Sequence, residues 1–312
     1  MLFALLALLT AAFAAGCGEE TEEPHINIGD MESGAGITSA ADLAAFFESG
    51  GERAVLARSV DMEDAMLTLS AARGHITIEG RGNTISGNAD CVIRLEDGAE
   101  LTLEEDELQG ESNSISNQKL GSGKISGQGA INAVAHAVDF AAGIEFGENS
   151  RFYIKSNRGC AIRAGMLNMG KGCAVYAQGG ESASAVNIFE EDILLDEGAL
   201  LEAVTEANYN ALKCTGTLVM QDGATLKVKN NGEYHGAELN EIELYGVTNI
   251  EADGGDKGVG MFAFSADGDY YAVGHCEPEM VIETGNGSVT FVNDAADIPE
   301  PTPEPTTPAM EE

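Results

Sequence analysis

The chain has 312 residues, of which 52 are Asp or Glu and 16 are Lys or Arg, so its formal net charge is −36. Nucleic-acid binding needs a basic surface, and this balance therefore excludes a general nucleic-acid binder. With 44% hydrophobic and 22% charged residues, the composition is that of a globular protein with a sizeable core. The 39 glycines and the absence of Trp indicate a turn-rich chain without large aromatic platforms.

An uncharged apolar segment covers residues 2–15 and is followed by Gly16 and Cys17. It has the length of a signal-peptide hydrophobic region and is too short to span a bilayer. Small residues directly before a Cys resemble the lipidation site of bacterial lipoproteins. The resemblance implies a signal peptide over residues 1–16, a lipid on Cys17 and an extracytoplasmic protein anchored to a bacterial membrane at the cell surface. The alternative is an ordinary secretory peptide with a coincidental Cys.

Both flanks of the central region look solvated. Residues 17–33 form a short acidic stretch without apolar periodicity, which predicts a tether. Residues 294–312 hold five prolines among Glu and Thr and almost nothing apolar. This composition predicts a disordered or polyproline-II tail. The folded part is therefore expected over residues 34–293.

The folded part is predicted to open with one helix. Ser39 is a plausible N-cap, Leu43, Phe46 and Phe47 share one helical face, and Gly50 follows the apolar run. Short apolar stretches broken by Gly and Asn come next, which is typical of strands.

One turn pattern then recurs, in which a Gly or Asn precedes alternating apolar residues. Its markers are Gly98, Gly123, Asn149, Gly172, Gly198, Gly223 and Gly246, at intervals of 25, 26, 23, 26, 25 and 23 residues. A period near 25 with short strands favours a parallel β-helix over a leucine-rich repeat. The copy at Gly198 conflicts with the pattern, because Leu200, Leu201, Val204 and Ala207 have helical spacing, and a helical insertion is the alternative interpretation there.

These repeats, together with Ile76-Thr77-Ile78-Glu79-Gly80 and Asn83-Thr84-Ile85-Ser86-Gly87, resemble the first coils of a pectin-lyase-like right-handed parallel β-helix. The resemblance implies an all-β solenoid with coils of about 25 residues. The opening helix would cap the first coil, whose strand edges are otherwise unpaired. A fold of this kind does not specify an activity.

Residues that carry catalysis in this superfamily are not evident. The polygalacturonase-like set of an Asn-Thr-Asp run, paired Asp, Gly-His-Gly and Arg-Ile-Lys does not appear in the sequence. No cofactor is expected from the sequence, and the alternative is calcium, with Asp253, Asp256, Asp267 and Asp269 as candidate ligands. A solvated acidic turn is the alternative interpretation of these residues.

The sequence predicts structural and not catalytic or metal-binding roles for the cysteines and histidines that follow Cys17. Cys91, Cys160 and Cys173 each lie in phase with an apolar residue two positions on, which predicts small core residues. An odd number of cysteines remains after Cys17, so at least one thiol is expected to stay unpaired, and a Cys160–Cys173 disulfide is one pairing that the sequence leaves open. The five histidines show no zinc-ligand spacing and are read as surface or packing residues.

A basic island interrupts the acidic chain. Residues 149–180 contain no Asp or Glu but include five cations, which are Arg151, Lys155, Arg158, Arg163 and Lys171. Strand alternation turns Arg151, Tyr153 and Lys155 outward, and the repeat aligns Tyr153, Tyr176 and Lys227 on one face, with Lys229 two residues beyond. Cations and tyrosines on one face suit an acidic glycan. The alternative is neutralisation by neighbouring acids, namely Glu104, Glu105, Asp106, Glu190, Glu191 and Asp192.

Three function classes remain. The favoured one is a lipid-anchored, non-catalytic, adhesion-type surface protein whose β-helix presents a face to a glycan or a protein. The others are a polysaccharide lyase or glycoside hydrolase acting on acidic polysaccharide, and a structural surface spacer.

Overall fold

The computed structural model describes residues 36–117, 121–284 and 287–299. The predicted signal peptide, Cys17 and the tether lie outside the described residues, as does the tail from residue 300 onward. Within the described part of the tail, Ala295–Asp297 forms a short 3-10 helix, capped by the side chain of Asp294. In the part of the chain that the structure describes, no helix is both long and apolar enough to cross a bilayer.

The protein is an all-β parallel solenoid of the right-handed type, with about nine coils of about 24 residues each. Among the described residues, a single α-helix, α1 (Ala40–Glu48), precedes the strands. The strands are β1 (Arg53–Val55), β2 (Val60–Asp61), β3 (Leu67–Leu69), β4 (His75–Glu79), β5 (Thr84–Gly87), β6 (Cys91–Leu95), β7 (Glu100–Gly110), β8 (Asn113–Asn117), β9 (Ser122–Ala133), β10 (Val138–Phe146), β11 (Arg151–Ser156), β12 (Ile162–Met169), β13 (Ala174–Gln178), β14 (Val186–Ile188), β15 (Ile193–Leu195), β16 (Leu200–Thr205), β17 (Leu212–Met220), β18 (Thr225–Asn230), β19 (Ala237–Leu244), β20 (Thr248–Asp253), β21 (Met261–Ala266), β22 (Asp269–Glu277), β23 (Val281–Ile282) and β24 (Ser288–Val292).

Each coil contributes to three parallel faces, which we call faces A, B and C in the order in which the chain reaches them. Face A begins with β1, β4 and the first half of β7. Face B begins with β2, β5 and the second half of β7, and continues through β11, β13, β16, β18, β20 and β22. Face C begins with β3, β6 and β8. Strands on each face pair in parallel with the equivalent strands one coil before and after, so every outward position stacks into a row along the solenoid.

The corner between faces A and B explains the repeat in the sequence. Each of eight successive coils places a residue with positive φ there, and these residues are Gly82, Glu105, Gly127, Asn149, Gly172, Gly198, Gly223 and Gly246. Gly and Asn tolerate this left-handed conformation better than other residues do, which accounts for the pattern. Two predicted markers do not belong to this row. Gly98 has positive φ but precedes face A, and Gly123 is buried within β9. The predicted period near 25 residues agrees with the coil length of about 24 residues, but the predicted markers do not all lie at the same corner.

The alternative of a helical insertion at Gly198 is wrong. Leu200–Thr205 is strand β16, which pairs in parallel with β13 on one side and β18 on the other. Its inward positions are Leu201, Ala203 and Thr205, and all three are buried. Two neighbouring coils supply ladder hydrogen bonds to this segment, and this tertiary context overrides the helical spacing.

The predicted capping helix is confirmed. Ser39 is the N-cap of α1, and its side chain accepts a hydrogen bond of 3.1 Å from the backbone N–H of Asp42. Leu43, Phe46 and Phe47 are buried and join the same hydrophobic core as the first coil. The helix therefore covers the start of the solenoid with its apolar face.

The core runs along the inside of the solenoid and contains the cysteines. Cys91, Cys160, Cys173, Cys214 and Cys276 are all buried and free, so none of these five forms a disulfide. Burial raises the pKa of the Cys160 and Cys173 thiols to about 12. The prediction of small core residues is confirmed, and the Cys160–Cys173 pairing does not form.

Candidate functional site

Strand β11 places the predicted residues on the outside of face B. Phe152 and Ile154 point into the core and are at most 1% exposed, whereas Arg151, Tyr153 and Lys155 are exposed. Alternation along a strand dictates this arrangement, because successive side chains point to opposite faces. The predicted orientation of all three outward residues is confirmed.

Tyr153 and Tyr176 stack on neighbouring coils. The two residues are partners in the β11–β13 register, and their ring centroids lie 4.8 Å apart with an interplanar angle of 11°. This centroid distance matches the ~4.8 Å spacing of adjacent strands, so the rings face each other along the solenoid axis. Tyr153 remains 53% exposed in this arrangement. The pair therefore forms an aromatic surface on a rigid sheet.

Cations surround this aromatic pair. The Arg151 guanidinium lies 5.9 Å from the centre of the Tyr176 ring, and its Nη2 is 3.5 Å from the Tyr176 hydroxyl. Lys155 lies on the other side of Tyr153, two positions further along β11. We call Arg151, Tyr153, Lys155 and Tyr176 the basic patch. Arg158, in the turn that follows β11, adds a third exposed cation nearby.

The cations of the patch lack acidic partners in the described part of the chain. Arg151, Lys155 and Arg158 form no ion pair with any carboxylate among residues 36–117, 121–284 and 287–299. The two remaining cations of the island differ. Arg163 pairs with Asp139 at 3.3 Å, and Lys171 pairs with Glu197 at 2.6 Å. Within the basic island, the unpaired positive charge is therefore concentrated along β11 and the turn after it.

The alternative, in which neighbouring acids neutralise the basic island, holds for only two of its five cations, Arg163 and Lys171. Glu104 pairs with Arg53, Asp192 accepts a 2.7 Å hydrogen bond from the backbone N–H of Thr217, and Asp106 is buried with 3% exposure. In the described ranges, none of the six acids proposed for this role forms an ion pair with a cation of the island. Arg163 and Lys171 are neutralised by other acids, Asp139 and Glu197.

The predicted row along face B exists, but its charge alternates. The residues that stack with Tyr153 in successive coils are Ala130, Tyr153, Tyr176, Glu202, Lys227, Glu251 and His275. Lys227 donates to both carboxylate oxygens of Glu251 at 2.9 Å, and Glu202 separates it from Tyr176. Lys227 shares the face of the basic patch but does not extend its positive charge.

Lys229 faces a different environment. It lines an open groove of about 730 Å³, together with Asp253, Asp256, Glu277 and Glu279. The groove is acidic, so Lys229 sits among carboxylates beyond the basic patch. Of the six predicted binding residues, the structure gathers four, namely Arg151, Tyr153, Lys155 and Tyr176.

The four candidate calcium ligands are divided between two places. Asp253 and Asp256 line the acidic groove, and Asp253 lies 3.1 Å from the His275 Nε2. Asp267 accepts a hydrogen bond from the Tyr270 hydroxyl, and Asp269 accepts one from Ser288 at 2.8 Å. In the part of the chain described by the structure, no group of three or more His, Cys, Asp or Glu side chains is arranged to hold a metal ion. The calcium hypothesis stays a prediction.

Sequence reasoning missed two neighbours of the patch. Ala130 stacks on the opposite side of Tyr153 from Tyr176 and leaves room there. Ala130 was missed because β9 runs through faces A and B without a break, and the marker was placed at Gly123 and not at the corner residue Gly127. Glu202 was missed because the suspected helix removed the coil at Gly198 from the row. The marker at Gly198, four residues before Glu202, was the sequence signal that would have placed it in the row.

Comparisons of the chain with protein-family models, with curated proteins and with solved structures found no match.

Proposed function

We propose that the protein is a lipid-anchored, extracytoplasmic surface protein whose solenoid binds acidic glycans through the basic patch. The signal-like segment over residues 2–15 and the lipidation-type Cys17 support the location. The binding role depends on one observation. A half-exposed stacked tyrosine pair carries cations without carboxylate partners among the described residues, in a chain of net charge −36.

The chemistry of the patch fits an acidic sugar. The guanidinium of Arg151 presents several donors in one plane, which match the geometry of a carboxylate or sulfate. The ammonium of Lys155 adds a mobile positive charge, and the face of a tyrosine ring packs against the C–H groups of a sugar. An exposed pair of cations kept away from acids also attracts anionic ligands from solution, although salt screens this attraction within about 8–10 Å.

The rest of face B does not offer the same combination. Lys227 is held by Glu251, and Lys229 lies in the acidic groove. Adding more coils to the site would therefore add carboxylates that repel an acidic glycan. In the direction of β16 and the later coils, the binding surface therefore ends at the coil of β13.

A charge-reversal experiment tests the proposal. The full chain and an Arg151→Glu plus Lys155→Glu variant are applied to an array of uronate-containing, sulfated and neutral glycans at two salt concentrations. Lys213→Glu plus Lys257→Glu is the matched control, because it changes the net charge equally at ion-paired lysines outside the patch. We expect salt-sensitive binding of acidic glycans by the parent and the control, and at least tenfold weaker binding by the patch variant.

Two results would contradict the proposal. One is an absence of acidic-glycan binding by the parent chain under all conditions, which would leave a spacer or a protein-binding role. The other is an equal loss of binding in the patch variant and the control, which would mean that net charge alone governs the interaction.

A further inference from the structure

The Tyr153 ring has one covered side and one side with a small neighbour. Tyr176 covers the side toward β13 at 4.8 Å. On the opposite side, the register partner of Tyr153 is Ala130, whose side chain is a single methyl group. The 53% exposure of Tyr153 is consistent with a ring face that meets little protein there. A notch one coil high therefore lies over Ala130, with the Tyr153 ring as one wall.

Glu107 forms the opposite wall of this notch. It is the partner of Ala130 in the β7–β9 register, so it lies two coils from Tyr153 in the same row. Its carboxylate accepts hydrogen bonds from the Asn132 side-chain amide at 2.9 Å and from the Thr84 hydroxyl at 3.3 Å. The two hydrogen bonds fix this wall on adjacent coils.

The height of the notch suits one ring. Within the row, two strand spacings of about 4.8 Å separate Tyr153 from Glu107, or about 9.6 Å in total. A ring in van der Waals contact with both walls needs about 3.5–4.0 Å on each side, or about 7–8 Å in total. One sugar ring therefore fits between the walls, and a second ring in the same stack does not.

The sides of the notch limit its length. Gln128 and Asn132 flank Ala130 at the outward positions two residues before and after it on β9. A saccharide chain that continued along the strand direction would meet these larger side chains. The open direction points away from the protein surface, so the rest of a saccharide leaves outward.

The charges on either side of the notch decide where an anionic group lies. Arg151 and Lys155 flank Tyr153 on β11, whereas the Glu107 carboxylate lies at the opposite wall. A carboxylate on the bound ring is attracted toward the β11 side and repelled from the β7 side. Hydroxyl groups on the ring are suitable donors to Glu107.

We infer that the notch over Ala130 is a subsite for the terminal ring of an acidic saccharide, stacked on Tyr153 with its carboxylate directed at Arg151 and Lys155. This inference rests on the proposed function, because the same cations hold the ligand. The subsite recognises the end of a saccharide, whereas the interior of a polysaccharide binds only through the charges of the basic patch.

Defined oligosaccharides test the subsite. The probes are hyaluronan and chondroitin tetrasaccharides that end in glucuronate, and the trisaccharides that remain after that terminal ring is removed. Affinities are measured calorimetrically for the full chain, for Ala130→Leu, which fills the notch, and for Ala130→Ser, which leaves it open. Tyr153→Leu serves as a second variant that removes the ring wall without adding bulk over Ala130. Thermal unfolding of each variant verifies that it is folded.

We expect removal of the terminal ring to weaken binding to the parent chain by about tenfold, the scale of one aromatic stacking contact. Ala130→Leu and Tyr153→Leu are expected to lose the preference for the tetrasaccharide, and Ala130→Ser to retain it. Equal binding of both oligosaccharides by the parent, or an unchanged preference in Ala130→Leu, would overturn the subsite.

The two proposals fail differently. If Arg151→Glu plus Lys155→Glu abolishes binding while Ala130→Leu keeps the parent's preference, the terminal subsite is wrong and the glycan-binding face stands. If the parent chain binds neither the oligosaccharides nor the corresponding polymers, the proposed function is wrong, and the subsite is wrong with it.

Discussion

His136 and His235 make the same pair of hydrogen bonds at the corner between faces B and C, four coils apart. The backbone N–H of each donates to an Asn side chain one coil earlier, which is Asn113 at 3.0 Å and Asn210 at 3.1 Å. The Nδ1 of each accepts a 3.0 Å hydrogen bond from a backbone N–H one coil later. An Nδ1 that accepts cannot carry a proton, so both imidazoles are neutral in the fold.

This arrangement predicts a pH dependence of stability. Burial lowers the pKa of His136 and His235 below the unfolded value of about 6.5. Above pH 6.5 both imidazoles are neutral in the folded and the unfolded state, so they do not change the stability there. Below that pH the unfolded chain binds protons before the folded protein does, and the free energy of unfolding therefore falls as the pH decreases. Nearby charges also affect the pKa of each imidazole. These are Asp139 and Arg163 for His136, and Glu238 for His235.

The matched variant is His136→Asn plus His235→Asn, because an Asn oxygen accepts the same hydrogen bond at every pH. The free energy of unfolding is measured in urea at pH 8 and pH 5 for both chains. We expect the parent to lose stability relative to the variant at pH 5. A constant difference between the two chains across this range would refute the assigned role of the imidazoles.

The buried carboxyl group of Asp106 leads to the opposite prediction, a stability that falls as the pH rises. Its carboxyl group is 3% exposed and packs at Gly80, and its Oδ1 has no hydrogen-bond partner in the described structure. Burial, with the nearby Glu104 and Glu79 charges, raises the pKa of Asp106 to about 8. The folded state therefore retains a proton that the unfolded state releases near pH 4, and stability falls as the pH rises from about 4 to about 8.

Asp106→Asn removes this proton without a large change in shape. We expect the variant to gain stability relative to the parent as the pH rises through this window, with about 1.4 kcal/mol for each unit of pKa difference as the scale. Urea unfolding at pH 5, 6.5 and 8 measures the gain. A variant with the same pH profile as the parent would show that Asp106 is ionised in the folded protein.

The buried cysteines predict low thiol reactivity. Burial raises the pKa of Cys91, Cys214 and Cys276 to about 11 and that of Cys160 and Cys173 to about 12. Thiolates are the reactive species, so iodoacetamide at pH 8 is expected to leave these five residues unmodified in the folded protein and to modify all five in urea. Peptide mass spectrometry identifies the products. Rapid native modification of any of the five, or a disulfide between two of them, would contradict the packing.

Phe152 and Tyr153 are adjacent residues whose substitution is predicted to reduce stability by very different amounts. Phe152 is fully buried, and its ring lies 5.6 Å from that of Phe146. Phe152→Ala is expected to reduce the free energy of unfolding by about 3–5 kcal/mol because it leaves a cavity. Tyr153→Ala, at a half-exposed position, is expected to cost about 1 kcal/mol or less. Urea unfolding compares them, and equal losses would mean that β11 does not face the core as described.

Local chemistry made much of the fold predictable. Ser39, Leu43 and Phe46 specify the helix without any reference to tertiary structure, and the alternation of Phe152 and Ile154 orients β11. The period was visible because each coil needs one left-handed residue at the A–B corner. It was misassigned at Gly98 and Gly123 because a glycine in sequence does not state which corner it occupies.

The candidate site was predictable only in part. The facing of Tyr153 and Tyr176 follows from the repeat, whereas the pairing of Lys227 with Glu251 depends on a register between coils that no single segment contains. The same holds for Asp139, which neutralises Arg163 from the preceding coil. Long-range register decides which charges stay unpaired, and local periodicity does not encode it.

Lysine footprinting shows whether an acidic glycan binds at the basic patch. The full chain is acetylated briefly with and without a saturating acidic oligosaccharide, and the modification of each lysine is quantified by mass spectrometry. Lys155 lies in the patch, while Lys229 is an exposed internal control in the acidic groove. We expect protection of Lys155 and unchanged reactivity of Lys229. Bound ligand that leaves Lys155 fully reactive, or that protects Lys229 instead, would contradict binding at the basic patch.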